Sequence, residues 1–288
     1  MTRLHRARIG GLGDEAAHAG SEQIALHGAL GLGFVELRKV DGQPVAGLSM
    51  EQARALAALA QQTGVAVACL ASAIGNWARP ISAPFDQDLS ELDRLAALGR
   101  ILGTRWVRVM AYPNDGLSEA DWEREVLRRF RVLAARARDH GLALLVENCS
   151  GWTARDPNRF MALRADAGED VVGCLFDLGN PVVYGDDPAA YLAGVLPAVA
   201  HVHVKDARQG SGGTEFTLPG QGTAGVRACV DRLLRAGYTG RFSLEPHLAV
   251  IPHLGVSSDP RTLAASYRAY LNSFLALIDG PDVEAGAA

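Results

Sequence analysis

The sequence predicts a single-domain α/β protein, a closed (β/α)8 barrel. Eight short apolar runs alternate with eight helical segments along the chain, the signature of a parallel sheet covered by helices. No GxGxxG turn follows the first run, so a doubly wound dinucleotide fold loses its main signal. The length of 288 residues suits a barrel, which commonly takes about 250 residues as one domain.

The elements follow in order. ARIGGLG at 7–13 is the first strand and GFVELR at 33–38 the second, with a helix near 20–30 between them. SMEQARALAALAQQTG places Leu56, Leu59 and Ala60 on one side of a helix that closes on Gly64. VAVACLAS at 65–72 is a buried strand, followed by an irregular loop with Trp77 and Pro80. A helix near 87–102 leads to the strand TRWVRVMAY at 104–112. A long helix near 118–140 starts at Ser118, with Asp121 as a variant of the capping box, and runs into the strand ending at Glu147. A helix near 157–167 precedes the strand ending at Asp177, and one near 187–197 the strand reaching His203. GSGGTEFTLPGQG at 210–222 interrupts the rhythm as a flexible connection or a lid over the seventh strand. A helix near 223–236 leads to the last strand, ending at Glu245. The loop at 244–260 is placed to cover a pocket or meet a partner subunit, compatible with a homo-oligomer. A helix from about 258 to 279 completes the domain at 1–280, and 281–288 is expected to be a frayed tail.

Composition narrows the function. With 48% hydrophobic and 21% charged residues, the chain reads as an ordinary soluble protein with ample core. A formal charge of −4 argues against a nucleic-acid partner, which basic patches would attract. No apolar stretch approaches the roughly 20 residues needed to cross a bilayer, and the N-terminus has no apolar signal-peptide core. Cys69, Cys149, Cys174 and Cys229 are widely spaced, with no CxxC pair. They read as reduced thiols, and the expected location is cytoplasmic.

Four strand ends carry the chemistry. LALLVEN, VVGCLFDLGN, AHVHVKD and GRFSLEPH deliver Glu147, Asp177, His203 and Glu245. In a parallel barrel the C-terminal edge of the strands is where active sites are built. A carboxylate there is costly to bury unless it is paired or bound to a metal. Two Glu, one Asp and one His form a ligand set for one divalent ion: Mn, Mg, Co or Zn. Their separations are 30, 26 and 42 residues (177 − 147, 203 − 177, 245 − 203). The first two match one βα unit each, and the third adds the Gly-rich insertion.

VEN at 146–148, FDLGN at 176–180, HVHVKD at 201–206 and SLEPH at 243–247 resemble the xylose-isomerase-like TIM barrels. That group contains sugar isomerases, ketose 3-epimerases, inosose dehydratases and endonuclease-IV-type enzymes. The resemblance implies that Glu147, Asp177, His203 and Glu245 hold the metal, with His201 structural. It also implies that Glu147 and Glu245 act as acid/base groups on opposite sides of a carbon. The expected reaction is proton abstraction next to a carbonyl of a sugar, keto-sugar or cyclitol, through a metal-stabilised enediolate. The alternative is a lyase or dehydratase reaction, β-elimination on a keto-inositol or keto-glycoside, which shares the first step. Abasic-site cleavage is disfavoured, because no His lies between His27 and His140 to supply a three-metal site.

Substrate contacts are expected from Glu36, Asn180, Lys205, Arg208 and His247. Glu36 ends the second strand, and Asn180 stands where several relatives of the group have His. Lys205 shares a strand face with His203 by period two, and His247 lies two residues past Glu245. Trp77, Trp106 and Trp152 are candidates for an apolar wall against a sugar ring.

Overall fold

The computed structural model describes residues 4–251 and 255–280 of the chain. Eight parallel strands close a barrel: β1 (Ile9–Leu12), β2 (Phe34–Leu37), β3 (Ala66–Ala71), β4 (Trp106–Ala111), β5 (Ala143–Gly151), β6 (Val172–Asp177), β7 (Val199–Val204) and β8 (Phe242–Leu244). Each strand pairs with its sequence neighbours, and β8 pairs back onto β1 through Ile9–Phe242 and Gly11–Leu244. The helices that alternate with the strands are α1 (Gly20–Ala29), α2 (Met50–Thr63), α3 (Phe85–Leu102), α4 (Glu119–Asp139), α5 (Pro157–Ala167), α6 (Pro188–Val195), α7 (Val226–Arg235) and α8 (Pro260–Asp279), with one further helical turn at Asn180–Val183. Thus all eight strands and eight helices expected from the sequence are present, and among the described residues no helix is long and apolar enough to cross a membrane. The tail at 281–288 and residues 252–254 of the last loop lie outside the described residues.

Helix ends follow local chemistry. Ser49 and Gln52 form a reciprocal capping box at the start of α2, which ends at Gly64 with a left-handed φ of 71°. Ser118 caps α4 as expected. However, the carboxylate of Asp121 accepts from the Ser118 hydroxyl rather than from its backbone N–H. Asp lacks the methylene that lets Glu or Gln reach back. Asp156, Asp187 and Asp259 cap α5, α6 and α8, each followed by proline at the first helical position.

The main core lies between the barrel and its helices. A small apolar plug fills the barrel interior, where Cys69, Leu145 and Leu175 pack with Trp106 and Ala200. Leu145 and Leu175 stand two residues before Glu147 and Asp177 on the same strand faces, so the plug floors the polar layer. In β1 the close approach of α8 requires glycine, since a Cβ on Gly11 would lie 2.0 Å from the Tyr267 hydroxyl oxygen.

Two features depart from the expected layout. Lys39–Val40 and Gln43–Pro44 pair as a short hairpin after β2. The Gly-rich stretch is ordered as a second hairpin, Asp206–Gly210 against Gly213–Thr217. Its return is tied down by Asp206, whose carboxylate accepts N–H bonds from Ala207, Gly220, Gly222 and Ala224 at 2.7–3.1 Å.

Candidate functional site

The four strand-end residues converge. Glu147, Asp177, His203 and Glu245 each offer a ligand atom, all within 4.8 Å of one another and all buried. Strand register explains the meeting, because Asp177 is paired with His203 across β6 and β7, and Glu245 N–H bonds to Val204 O beyond the end of β8. Asn148 locks the β5 and β6 ends together, accepting from Asp177 N–H at 2.7 Å and donating to Asp177 O at 3.0 Å.

Each group is oriented by its neighbours. Asp177 Oδ1 accepts from the backbone N–H groups of Gly179 and Asn180 at 2.8 Å, while Oδ2 accepts no well-aligned hydrogen bond. Glu147 accepts from Arg108 on one oxygen (2.9 Å) and from Asn180 on the other (3.1 Å). His203 Nδ1 faces the cluster, 3.0 Å from Glu245 Oε2, and Nε2 lies 3.2 Å from Glu36 Oε2. A carboxylate behind the ring fixes its orientation and leaves the inward nitrogen for a ligand role. Arg38 joins Asp14, Glu15 and Glu245 at 2.9, 3.1 and 2.9 Å.

The charge balance favours a cation. Six buried carboxylates (Asp14, Glu15, Glu36, Glu147, Asp177, Glu245) face three permanent cations, Arg38, Arg108 and Lys205. Burial pushes the Asp177 carboxyl up to about 7, with Glu245 and Glu147 adding repulsion that Lys205 only partly offsets. Burial also raises Glu245, but Lys205, His203 and His247 outweigh it and hold that carboxyl well below the usual range. Burial depresses His203, but Glu36 and Glu245 reverse the effect and favour the imidazolium. A divalent ion would supply the charge that protonation of these groups otherwise must.

Two neighbouring groups have the same residue types but are already committed. Glu36, His201 and His203 lie within ligand distance; there Glu36 bridges both rings, at 2.6 Å to His201 Nε2 and 3.2 Å to His203 Nε2. Glu15, Glu245 and His247 also cluster, but the Arg38 guanidinium fills their charge. Asp177 Oδ2, held only by ion pairs and by no well-aligned hydrogen bond, and the hard oxygen and imidazole donors make the four-residue cluster the one that fits a divalent metal.

A cavity of about 390 Å³ opens onto this cluster, with Glu147 and Glu245 in its wall. Among the expected substrate contacts, Asn180, Lys205 and His247 line it. Glu36 and Arg208 are not brought to it. Glu36 is fully buried behind His203, and Arg208 lies on the hairpin, its side chain 55% exposed and paired with Glu215. Arg208 is five residues past His203, on the opposite face by strand alternation, and it belongs to the hairpin strand Asp206–Gly210 rather than to the barrel. Of the three tryptophans, Trp77 reaches the cavity rim and is 49% exposed. Trp106 borders the apolar plug, and Trp152 is buried.

Sequence reasoning missed Arg38, Arg108, Glu15 and Phe216. Arg108 had a usable signal, an arginine in the apolar run WVRVMA with Trp106 and Met110 on its own face. Glu15 accepts from the His247 backbone N–H at 2.7 Å and lies 2.9 Å from its Nδ1, securing a residue with a φ of 51°. Phe216, from the hairpin, packs edge-on against the His247 ring at 4.9 Å.

Residues 24–268 match the sequence model of a family described as xylose isomerase-like TIM barrel. The inosose dehydratase of Lacticaseibacillus casei is 26% identical over 143 residues, 44% of this chain and 48% of that protein. The chain thus spans about half the length of the curated relatives it matches. A xylose isomerase-like TIM barrel protein from Mycobacterium smegmatis, solved in complex with magnesium, superposes with a TM-score of 0.68 at 19% identity, covering 96% of this chain and 100% of that one. The 3-keto-D-glucoside 4-epimerase of E. coli gives 0.67 at 18% identity, covering 94% and 98%.

Proposed function

The chain belongs to the xylose isomerase-like TIM barrel family, and from that premise we propose that it is a divalent-metal-dependent isomerase or epimerase of a sugar, keto-sugar or cyclitol. The observation that carries this reading is the buried convergence of Glu147, Asp177, His203 and Glu245 at the mouth of a cavity. These four residues would hold the ion. When bound, it supplies Lewis-acid polarisation of a substrate carbonyl and so acidifies the adjacent C–H.

The remaining work falls to the protein's own side chains. Glu147 and Glu245 both reach the cavity wall and would remove a proton from the carbon and return one. Arg108 and Asn180 fix Glu147 from two directions, so its carboxylate is presented in one orientation. Asn180 bridges Glu147 and Lys205, accepting from the ammonium at 3.2 Å. A carboxamide positions groups but does not transfer protons at neutral pH, which leaves proton transfer to the glutamates. Lys205 and His247, which line the cavity, would hold substrate oxygens, and Trp77 would offer an apolar face at the rim.

A second reading, a lyase that eliminates water or an alkoxide β to a ketone, is favoured by the similarity to inosose dehydratase. Both reactions begin with the same abstraction and differ in where the enediolate electrons go. Incubation of the manganese-loaded protein in deuterated water with ketoses, a 3-keto-glucoside and a keto-inositol separates them. Deuterium retained in an isomeric sugar supports epimerisation or isomerisation, whereas an unsaturated or diketo product supports elimination. Metal binding without exchange into any of these compounds would overturn both.

A further inference from the structure

Lys205 stands where a divalent ion and a resident ammonium make incompatible demands. Its Nζ lies 2.9 Å from Asp177 Oδ2 and 2.8 Å from Glu245 Oε2. Those are the oxygens turned toward His203 Nδ1, at 3.8 and 3.0 Å. An ion held by the four-residue cluster would draw on the same two oxygens, and a double positive charge beside a buried ammonium is repulsive. Arg38 and Arg108 do not share this conflict. Arg38 is held by Asp14 and Glu15 as well as Glu245, and Arg108 by Ser72 O at 2.9 Å as well as Glu147.

We propose that Lys205 and the divalent ion compete for Asp177 Oδ2 and Glu245 Oε2, so that ion binding turns the ammonium into the cavity to meet a substrate oxygen. This rests on the metal-dependent reading above. Lys205 then serves as counter-ion to the cluster in one state and as substrate ligand in the other, and metal must bind before substrate. The local packing allows this exchange at the tip of the side chain. A Cβ on Gly179 would come within 2.6 Å of Lys205 Cγ and 2.9 Å of its Cβ and Cδ. The aliphatic stem therefore rests on bare backbone in the turn between Asp177 and Asn180, while the ammonium, on a flexible terminus, borders the cavity. The glycine of the FDLGN run is explained by the lysine it supports.

The test is calorimetric titration of Mn2+ into the full chain, wild type and Lys205→Met, with melting temperatures measured in chelator and in excess Mn2+. Lys205→Gln is a second uncharged variant in case the methionine form does not fold without the ion. Removing a competing charge a few ångströms away should tighten Mn2+ binding by about tenfold or more. The variant should melt lower than wild type in chelator, and the gap should narrow when Mn2+ is added. Wild-type binding with unchanged or weakened affinity in the variants overturns this proposal alone. No Mn2+ binding by any of the proteins overturns the metal-dependent reading and this proposal with it.

Discussion

At the scale of single residues, the cluster depends on the groups behind its four strand-end residues as much as on those residues themselves. Glu36 touches both histidines of β7 and sets which nitrogen of His203 faces the cavity. Glu36→Gln should therefore weaken Mn2+ binding about 10–100-fold while leaving the ligand set intact, as read by titration calorimetry. Glu147→Gln should lower the rate of solvent-deuterium exchange into an accepted substrate by about 10²–10⁴, as read by mass spectrometry. The four residues proposed as ligands were legible as a group in the sequence because each ends an apolar run and their spacing follows the βα repeat, and the fold brings them within 4.8 Å of one another. The role of Glu36 was not legible, because its partners are 165 and 167 residues away across the barrel. Arg38 and Glu15 were hidden similarly: at the edge of a strand or in a short turn, a charged residue reads as solvated until the fold closes around it.

At the scale of elements, Asp206 and His27 join parts of the chain that local propensity leaves separate. Asp206 gathers the backbone N–H of Ala207 and three more, Gly220, Gly222 and Ala224, from the segment that follows the hairpin. Asp206→Ala should cost about 2–4 kcal/mol in urea unfolding and increase hydrogen exchange selectively over residues 207–224. Composition alone read this stretch as flexible, since Gly and Thr specify neither the pairing nor the anchoring carboxylate. His27 ties α1 to α8. Its Nδ1 lies 2.7 Å from Gln23 O, which can only accept, so Nδ1 carries the proton and Tyr267 O–H donates to Nε2 at 3.0 Å. Burial pushes its pKa down from 6.5 to about 4, only partly offset by its hydrogen bonds to backbone. Because the unfolded chain binds this proton first, the contribution to stability is full above pH 6.5 and is lost as pH falls toward about 4. The loss should total roughly 3 kcal/mol, measured by urea unfolding across that window. His27→Gln should flatten that part of the profile; an unchanged slope would mean that another group titrates there.

At the scale of the whole molecule, the barrel combines an apolar floor with a ring of buried charge. The alternation of strands and helices made the architecture legible from the sequence, and the (β/α)8 order follows from short right-handed crossovers between parallel neighbours. The depth of the charged ring was less legible, because much of it comes from the first half of the chain, away from the motifs: Glu36 and Arg108 on strands, and Asp14, Glu15 and Arg38 just past the strand ends. Six carboxylates against three permanent cations leave the barrel mouth short of positive charge, a costly state for buried acids. Mn2+ should consequently raise the melting temperature, and go on raising it with the logarithm of its free concentration once that exceeds Kd, and chelator should reverse the rise; a melting curve indifferent to both would count against the charge argument. The central claim is that the four strand ends form a metal site, and anomalous diffraction from Mn2+-loaded crystals tests it most directly. The account predicts one strong peak bounded by Glu147, Asp177, His203 and Glu245. A peak among Glu15, Glu245 and His247, or manganese bound only outside the barrel mouth, would contradict it.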